Sequence, residues 1–434
     1  MAPRFRKQIL FLFLGICVGS VVWLYVHKVL QPWIEAQSAH ERRIKAQMWD
    51  LYPRWVGTRN LFLYGRSPYS IETSHEIQMA FYGHFITPQD FTRPPLRGRY
   101  EDEQRFAYPI YVVFLMAPTI YLDFSRIEAW APVALGVIAA ATALFAVLLL
   151  DWDLPPLMLV SLLLLVVGSP QIEQAMRHQQ LSIVVGLALT GAGWCVHKNH
   201  LATAGLMLAV ATIKPQMAVL PIAWFLTWAS GEWRRRWRLV GGFAGTMAIF
   251  VGMGEVLAPG WVGDFIAGIE AYHHYFPTTS ILGVILGNTF GCIVGIFIVL
   301  ATLVLGWKNR GVRGDSQGFV IVFAFFLMMT IVAFPLMILY NHSLLILPAV
   351  LVLHQWSNLS KVSRIIFSAL ISWSWITAAG LLLISPPVDI TNKLPLMPGY
   401  PAAFMPLVLP ALLYGTLRTQ LSDGRYEFAA ADAR

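Results

Sequence analysis

Long apolar runs alternate with short charged joins along almost the whole chain. Ile9–Leu30, Trp130–Leu150, Leu239–Leu257, Ile281–Leu305, Phe319–Pro335, Met337–Leu353, Ile365–Leu383 and Ala403–Thr416 are such runs. A hydrocarbon layer of ~30 Å takes about 20 residues of helix to cross. Backbone polar groups in lipid must be paired within their own segment, so the runs predict helices. They lack the two-residue alternation of membrane barrel strands. Tyr108–Leu122, Leu157–Gly168, Leu181–Val196 and Leu201–Ser230 add shorter or interrupted pieces. The expected fold is therefore an all-α polytopic membrane protein, a bundle of about 11–13 transmembrane helices. Leu201–Ser230 is apolar except at Lys214-Pro215-Gln216, and reads either as one long helix or as two half-helices broken before Pro215. Ser169–Gln180 is a polar interruption between two short apolar pieces; as a full crossing or as a re-entrant hairpin it puts the next segments on opposite sides.

One stretch breaks the pattern. Gln31–Arg105, between the first and second apolar runs, carries 9 acidic and 10 Lys/Arg residues of the chain's 23 and 31. Within it Ile44, Met48, Leu51 and Trp55 recur at helical spacing, as in an amphipathic helix lying on a membrane surface. Pro53 suits the start of a helical piece that runs to Tyr64 and stops at Gly65. Glu72–Tyr82 predicts a further short surface helix, and Pro88–Gly98 an irregular segment. The chain otherwise reads as a single membrane-embedded domain over 1–434, with a short cytoplasmic tail at 418–434.

Composition sharpens this picture. The chain is 57% hydrophobic and 12% charged, against roughly 25% charged in soluble domains. The net charge of +8 sits in short joins between apolar runs, as membrane orientation requires, so it does not indicate nucleic acid. Arg4, Arg6 and Lys7 precede the first run and predict a cytoplasmic N-terminus on an uncleaved anchor, which places Gln31–Arg105 outside. GEWRRRWR (Gly231–Arg238) and WKNRGVRGD (Trp307–Asp315) fit the inside. Cys17, Cys195 and Cys292 have no pairing or metal spacing and read as small buried hydrophobes.

Four places could carry chemistry. Asp50, flanked by Trp49 and Tyr52, offers a general base to an attacking hydroxyl; Asp is equally a preferred helix N-cap. Lys214 is a cation within an apolar stretch, beside a proline break, and suits a phosphate held at the membrane surface; it could also snorkel to the interface. Arg177, His178, Gln179 and Gln180 suit a polar cavity reaching into the membrane, or an ordinary polar turn. Asn341 and His342 could orient a phosphate or sugar hydroxyl, or simply hydrogen-bond at an interface. Arg105 stands in a charged rim with Glu101, Asp102 and Glu103, and His273-His274 are weaker still. No pattern supports a metal or a nucleotide, so no cofactor is expected.

These pieces come in a suggestive order: an N-terminal anchor, a large first loop with an early Asp, GRSPY (Gly65–Tyr69), FAYP (Phe106–Pro109), RHQQ (Arg177–Gln180), IKPQ (Ile213–Gln216) and a late Asn341-His342. In this the chain resembles the GT-C integral-membrane glycosyltransferases, and most the polyprenol-phosphate-mannose-dependent α-mannosyltransferases of family GT87, over roughly Trp49–Pro348. The resemblance implies a polyprenyl-phosphate sugar donor, typically carrying mannose, and a glycolipid or glycan acceptor in contact with membrane lipid. It implies inverting transfer on the outer face of a plasma membrane, with Asp50 as general base. Lys214 would then hold the donor phosphate, with Gln216 beside it in the Lys-Pro-Gln motif. His342, Arg177, Gln180 and Tyr52 fall on further substrate-binding positions, with Arg105 near them. Two other classes would fit the apolar pattern: a transporter or flippase of lipid-linked sugar, which should show inverted repeats, and a cell-envelope glycan polymerase or ligase using a diphosphate donor.

Overall fold

The structure is a computed structural model and describes residues 3–40, 50–87, 104–275 and 279–422. Among these residues there is no strand, and helices follow one another along the chain. α1 (Pro3–Tyr25) continues through a π-helical turn (Val26–Leu30) into α2 (Gln31–His40). α3 (Leu51–Tyr64) and α4 (Ile71–Tyr82) form the ordered part of the polar loop, and α5 (Val112–Met116) follows it. Then come α6 (Phe124–Leu149), α7 (Pro156–Val167), α8 (Pro170–Arg177), α9 (Ser182–His197), α10 (Leu201–Ala211), α11 (Pro215–Gly231), α12 (Trp233–Leu257) and α13 (Trp261–Tyr275). The chain closes with α14 (Ile281–Leu286), α15 (Asn288–Lys308), α16 (Gln317–Ala333), α17 (Ile346–His354), α18 (Lys361–Ile384) and α19 (Tyr400–Ser422).

Among the described residues, six helical runs are long and apolar enough to cross a membrane: Phe5–His40, Phe124–Leu149, Trp233–Leu257, Asn288–Lys308, Lys361–Ile384 and Leu394–Tyr414. The pair α7 and α8, bent by 59°, makes a seventh if counted as one span. The protein is an all-α polytopic membrane protein. Fewer helices meet the length of a full crossing than the apolar runs suggest, because several runs are broken. Tyr108–Leu122 yields only α5 and a 3-10 turn, since Pro109 and Pro118 interrupt it. Ile281–Leu305 splits at Gly287, whose φ of +82° suits glycine. Met337–Leu353 splits into a 3-10 helix (Leu339–Leu345) and α17.

Side-chain size sets how the helices pack. Gly205 of α10 and Gly242 of α12 lie so close that an added Cβ would come 2.2 Å from the Leu239 carbonyl oxygen and 2.3 Å from that of Ala202. Small residues permit this approach, and close approach is what holds helices together where lipid surrounds them. Elsewhere aromatic residues fill the core: Trp224, Phe225, Phe319, Phe323 and Phe326 are fully buried between α11 and α16. Of the cysteines, all free, Cys195 is buried but Cys292 is exposed, which corrects its reading as a buried hydrophobe.

The polar loop folds onto this bundle. Gly65 ends α3 in the left-handed conformation, as its sequence position suggests. α4 buries Ile77 and Phe81 and exposes Glu72 and Glu76, along with Ile71 and Met79. α3 differs from a free surface helix: Leu51, Trp55, Val56, Thr58, Asn60 and Leu61 are all buried. The reason is the FAYP segment. A Cβ at Gly57 would lie 2.4 Å from the Phe106 ring, and Tyr69 of the GRSPY segment donates to the Tyr108 carbonyl at 2.6 Å. The Ile44–Met48 part of the expected surface helix, Pro88–Gly98 and the acidic cluster at Glu101–Glu103 lie outside the described residues.

The helix ends define two levels. Asp50, the α8–α9 join, the α10–α11 join and the 3-10 helix Leu339–Leu345 meet at one end of the bundle. The opposite ends of α9 and α11 meet Asp151 and the Arg310–Val312 segment. At the first level four chain breaks leave backbone groups in need of partners.

Candidate functional site

Asp50 stands immediately before α3. Its backbone is already helical (φ −63°, ψ −16°), and its side chain makes no capping hydrogen bond. The N-cap reading therefore fails, and the carboxylate is free for another partner. Two backbone contacts fix it instead: its N–H donates to the His178 carbonyl at 3.2 Å, and Arg54 donates to its carbonyl. Pro53 in the first turn removes a donor where none would have an intrahelical acceptor. The Asp50 carboxylate accepts from the Gln180 side-chain amide. Burial raises the carboxyl above the ordinary carboxylate range, while Arg54, Lys214 and the Gln180 hydrogen bond pull it back down.

Gln180 reaches Asp50 because the turn after α8 is sharp. Gln179 takes the left-handed conformation (φ 53°), and Gln180 N–H closes the turn onto Ala175 at 2.8 Å. Such backbone is disfavoured for a side chain with a Cβ. It is held here by the Gln179 amide, which donates to the Glu128 carbonyl at 3.3 Å. Gln180 is 3% exposed. Its other end accepts from Lys214 Nζ at 2.6 Å.

Lys214 sits at the break between α10 and α11, so the chain forms two half-helices. A residue before proline is pushed out of the helical region, and Lys214 adopts φ −125°, ψ 82°. The preceding turn is held by Tyr111, whose hydroxyl meets Thr212 at its carbonyl (3.0 Å) and hydroxyl (2.8 Å). Lys214 is 6% exposed and does not snorkel. Its ammonium also approaches Asn341 Oδ1 at 3.4 Å and the Tyr340 ring at 5.0 Å. Among the described residues no carboxylate lies within ion-pair distance of it. A buried ammonium ringed by neutral oxygens and an aromatic face keeps attraction for an anion.

The 3-10 helix Leu339–Leu345 completes the centre. Ser182 donates to the Tyr340 carbonyl at 2.7 Å and Ser343 to the Ser182 carbonyl at 3.1 Å, which lock it to the start of α9. Asn341 thereby points at Lys214. His342, 1% exposed, turns the other way, with Nδ1 3.3 Å from the Ala402 carbonyl of α19. Asp50, Gln180, Lys214 and Asn341 thus form one hydrogen-bonded chain, and His342 stands beside it.

The other expected site residues fall outside that chain. Arg177 pairs with Glu173 one turn earlier on α8, at 3.4 Å with both side chains largely buried. Tyr52 packs edge-on against Phe81 and Phe124. Arg105 is half-buried at the start of the FAYP segment, and Gln216 is exposed on α11. The side chains of His273 and His274 lie outside the described residues. Arg54 is the residue that sequence reasoning missed. It stacks 4.1 Å over the Tyr108 ring, and its position four residues after Asp50 was the available signal. A cavity of about 370 Å³ between α15, α16 and α19 is lined by Ile298, Thr302, Phe325, Met329 and Tyr414. No charged side chain lines it.

Comparison with known proteins bears on this arrangement. No curated protein and no solved structure matches the chain. The model of glycosyltransferase family 87 matches residues 106–335, which include Gln180 and Lys214; His342 lies a few residues beyond its end, and Asp50 lies well before its start. That stretch is more than half of the sequence and holds most of the helices around the site, and the chain belongs to glycosyltransferase family 87.

Proposed function

We propose that this membrane glycosyltransferase moves a sugar, mannose in our reading, from a polyprenyl-phosphate donor to a hydroxyl of a glycolipid or glycan acceptor. The observation that carries the reading is the chain Asp50–Gln180–Lys214, which presents a carboxylate and an ammonium across a single amide. Glycosyl transfer from a phosphate needs both. Asp50 takes the proton of the acceptor hydroxyl as its oxygen attacks the anomeric carbon. The bond from that carbon to the phosphate oxygen breaks, and its electron pair leaves with the polyprenyl phosphate. Lys214 offsets the charge gathering there. Attack opposite the leaving group inverts the anomeric centre. Family membership favours an enzyme over a transporter. A single lysine at the phosphate favours a monophosphate over a diphosphate donor. The basic N-terminus and basic joins support a cytoplasmic N-terminus, and with it our reading that the site faces the outer side of a plasma membrane.

The test is transfer of radiolabelled mannose from polyprenyl-phosphate mannose by purified protein. Asp50→Asn should lose ~10²–10⁴-fold in rate, the range of general-base catalysis, while keeping its melting temperature. A folded Asp50→Asn protein with undiminished transfer would remove Asp50 as the base.

A further inference from the structure

Beside the carboxylate and the ammonium runs a row of partly buried polar side chains that the reaction above leaves unused. Gln171 and Gln174 of α8 and His178, the residue that follows it, lie at i, i+3 and i+7 and so point along one face. His178 faces the Tyr340 ring at 6.0 Å between centroids, and Tyr340 in turn faces Lys214. At the other end of the row the Gln171 amide lies 3.9 Å from the Met405 sulfur. His342 meets Ala402, three residues earlier on α19. The face therefore leads from the Lys214 centre to one turn of α19, with His342 alongside.

The hydrogen-bonding character of this row is one-sided. With Nδ1 facing a carbonyl, His342 holds its proton there, so Nε2 is left as an acceptor. Nε2 is buried and has no hydrogen-bond partner. Gln171 turns its NH₂ toward sulfur, and its carbonyl oxygen is buried without a partner; the carbonyl oxygen of Gln174 is likewise unpaired. Buried acceptors left unpaired are costly, and native structures rarely keep several together. A ligand that satisfies them must bring donors. Phosphate brings mainly acceptors and suits Lys214 instead; a sugar ring brings several hydroxyls.

We propose that Gln171 and Gln174, with His342, form a subsite that binds the hydroxyls of a sugar ring next to the Lys214 phosphate position. The proposal rests on the glycosyl-transfer reading given above and adds the two glutamines to it as binding residues. The ring could belong to the donor or to the acceptor, and the kinetics separate the two.

The experiment measures transfer from polyprenyl-phosphate mannose to octyl α-mannoside by full-length protein carrying Gln171→Met, Gln174→Met or both. The double variant should raise one KM roughly tenfold, the loss expected for two neutral hydrogen bonds, with kcat within about threefold. A higher donor KM assigns the ring to the donor, and a higher octyl mannoside KM assigns it to the acceptor. If the double variant does not fold, each single variant is measured against an expected threefold rise. Methyl α-mannoside binding gives a readout independent of turnover: it should raise the melting temperature of the wild type more than that of the variants, while inorganic phosphate acts equally on both. Unmoved KM values, or an equal mannoside shift in all proteins, overturns the subsite. Asp50→Asn is run alongside: inactivity there with unmoved glutamine variants sinks the subsite alone, whereas full activity there sinks the catalytic reading itself.

Discussion

Two cations are buried to the same extent at opposite ends of the bundle, and they have opposite surroundings. Arg236 is 5% exposed and Lys214 is 6% exposed. Arg236 donates to the carbonyls of Trp228 (2.8 Å), Arg310 (2.8 Å) and Val312 (3.0 Å). It pairs with Glu232 at 3.2 Å and lies 3.9 Å over the Trp228 ring. Each of its capacities is committed to tying α12 to the segment after α15. Lys214 has two side-chain amide oxygens and an aromatic face, and no carboxylate within reach among the described residues. Burial alone therefore does not mark a functional charge. The useful question is how much of its binding capacity the protein leaves unfilled.

Substitutions can break this comparison. Lys214→Met should reduce transfer by ~10²–10³-fold, the loss typical when one donor to a developing negative charge is removed. Its melting temperature should fall less than that of Arg236→Met, because two side-chain amide oxygens lose a donor rather than three backbone carbonyls and an ion-pair partner. Activity assays paired with thermal unfolding test both halves; a stable variant with normal kcat would place Lys214 outside the chemistry. Arg236→Met should do the reverse. Three carbonyls lose their donor, which costs about 3 kcal/mol of stability, while the transfer rate per folded molecule is unchanged. A lower rate at full stability would show that the far end communicates with the site.

The smallest effect is the most specific. Burial holds the Asp50 carboxyl above the ordinary range while Arg54 and Lys214 pull it down, so the acid limb of kcat/KM should lie above the pH at which an ordinary aspartate titrates. Activity needs the deprotonated carboxylate and is lost as pH falls through that limb. Taking away the Lys214 charge removes a stabilising influence on the carboxylate, so the limb of Lys214→Met should move to higher pH. A pH profile that does not move would mean that the amide between them carries no electrostatic coupling.

Much of the fold was legible because lipid imposes long apolar runs, and the breaks were legible where proline or a polar pair interrupts them. Lys214-Pro215 is such a case: the alternatives of one helix or two were visible, and the residue before proline decides for two. Asp50 was legible as an acid in the wrong surroundings, but its rejection of the capping role depends on Gln180, 130 residues away. Which of the two adjacent glutamines reaches Asp50 could not be read from spacing, because the left-handed backbone at Gln179 sets it. Arg177 looked as available as Lys214, and only the neighbouring Glu173 shows that it is neutralised. The burial of α3 was hidden for the same reason. Its burial comes from Phe106 and Gly57, which periodicity does not connect.

Gln180 has a further consequence through its chemistry as an amide. It is neutral, with a donor at one end and an acceptor at the other, and it lies between opposite charges. Were the carboxylate and ammonium to touch, each would quench the other, and neither would serve a substrate. The amide works as an insulator: it holds the two poles at fixed separation while letting both keep their charge. A glutamate of the same shape at this position would short-circuit the pair by giving Lys214 a counter-ion of its own. The single nitrogen that distinguishes glutamine from glutamate thus keeps the centre polarised.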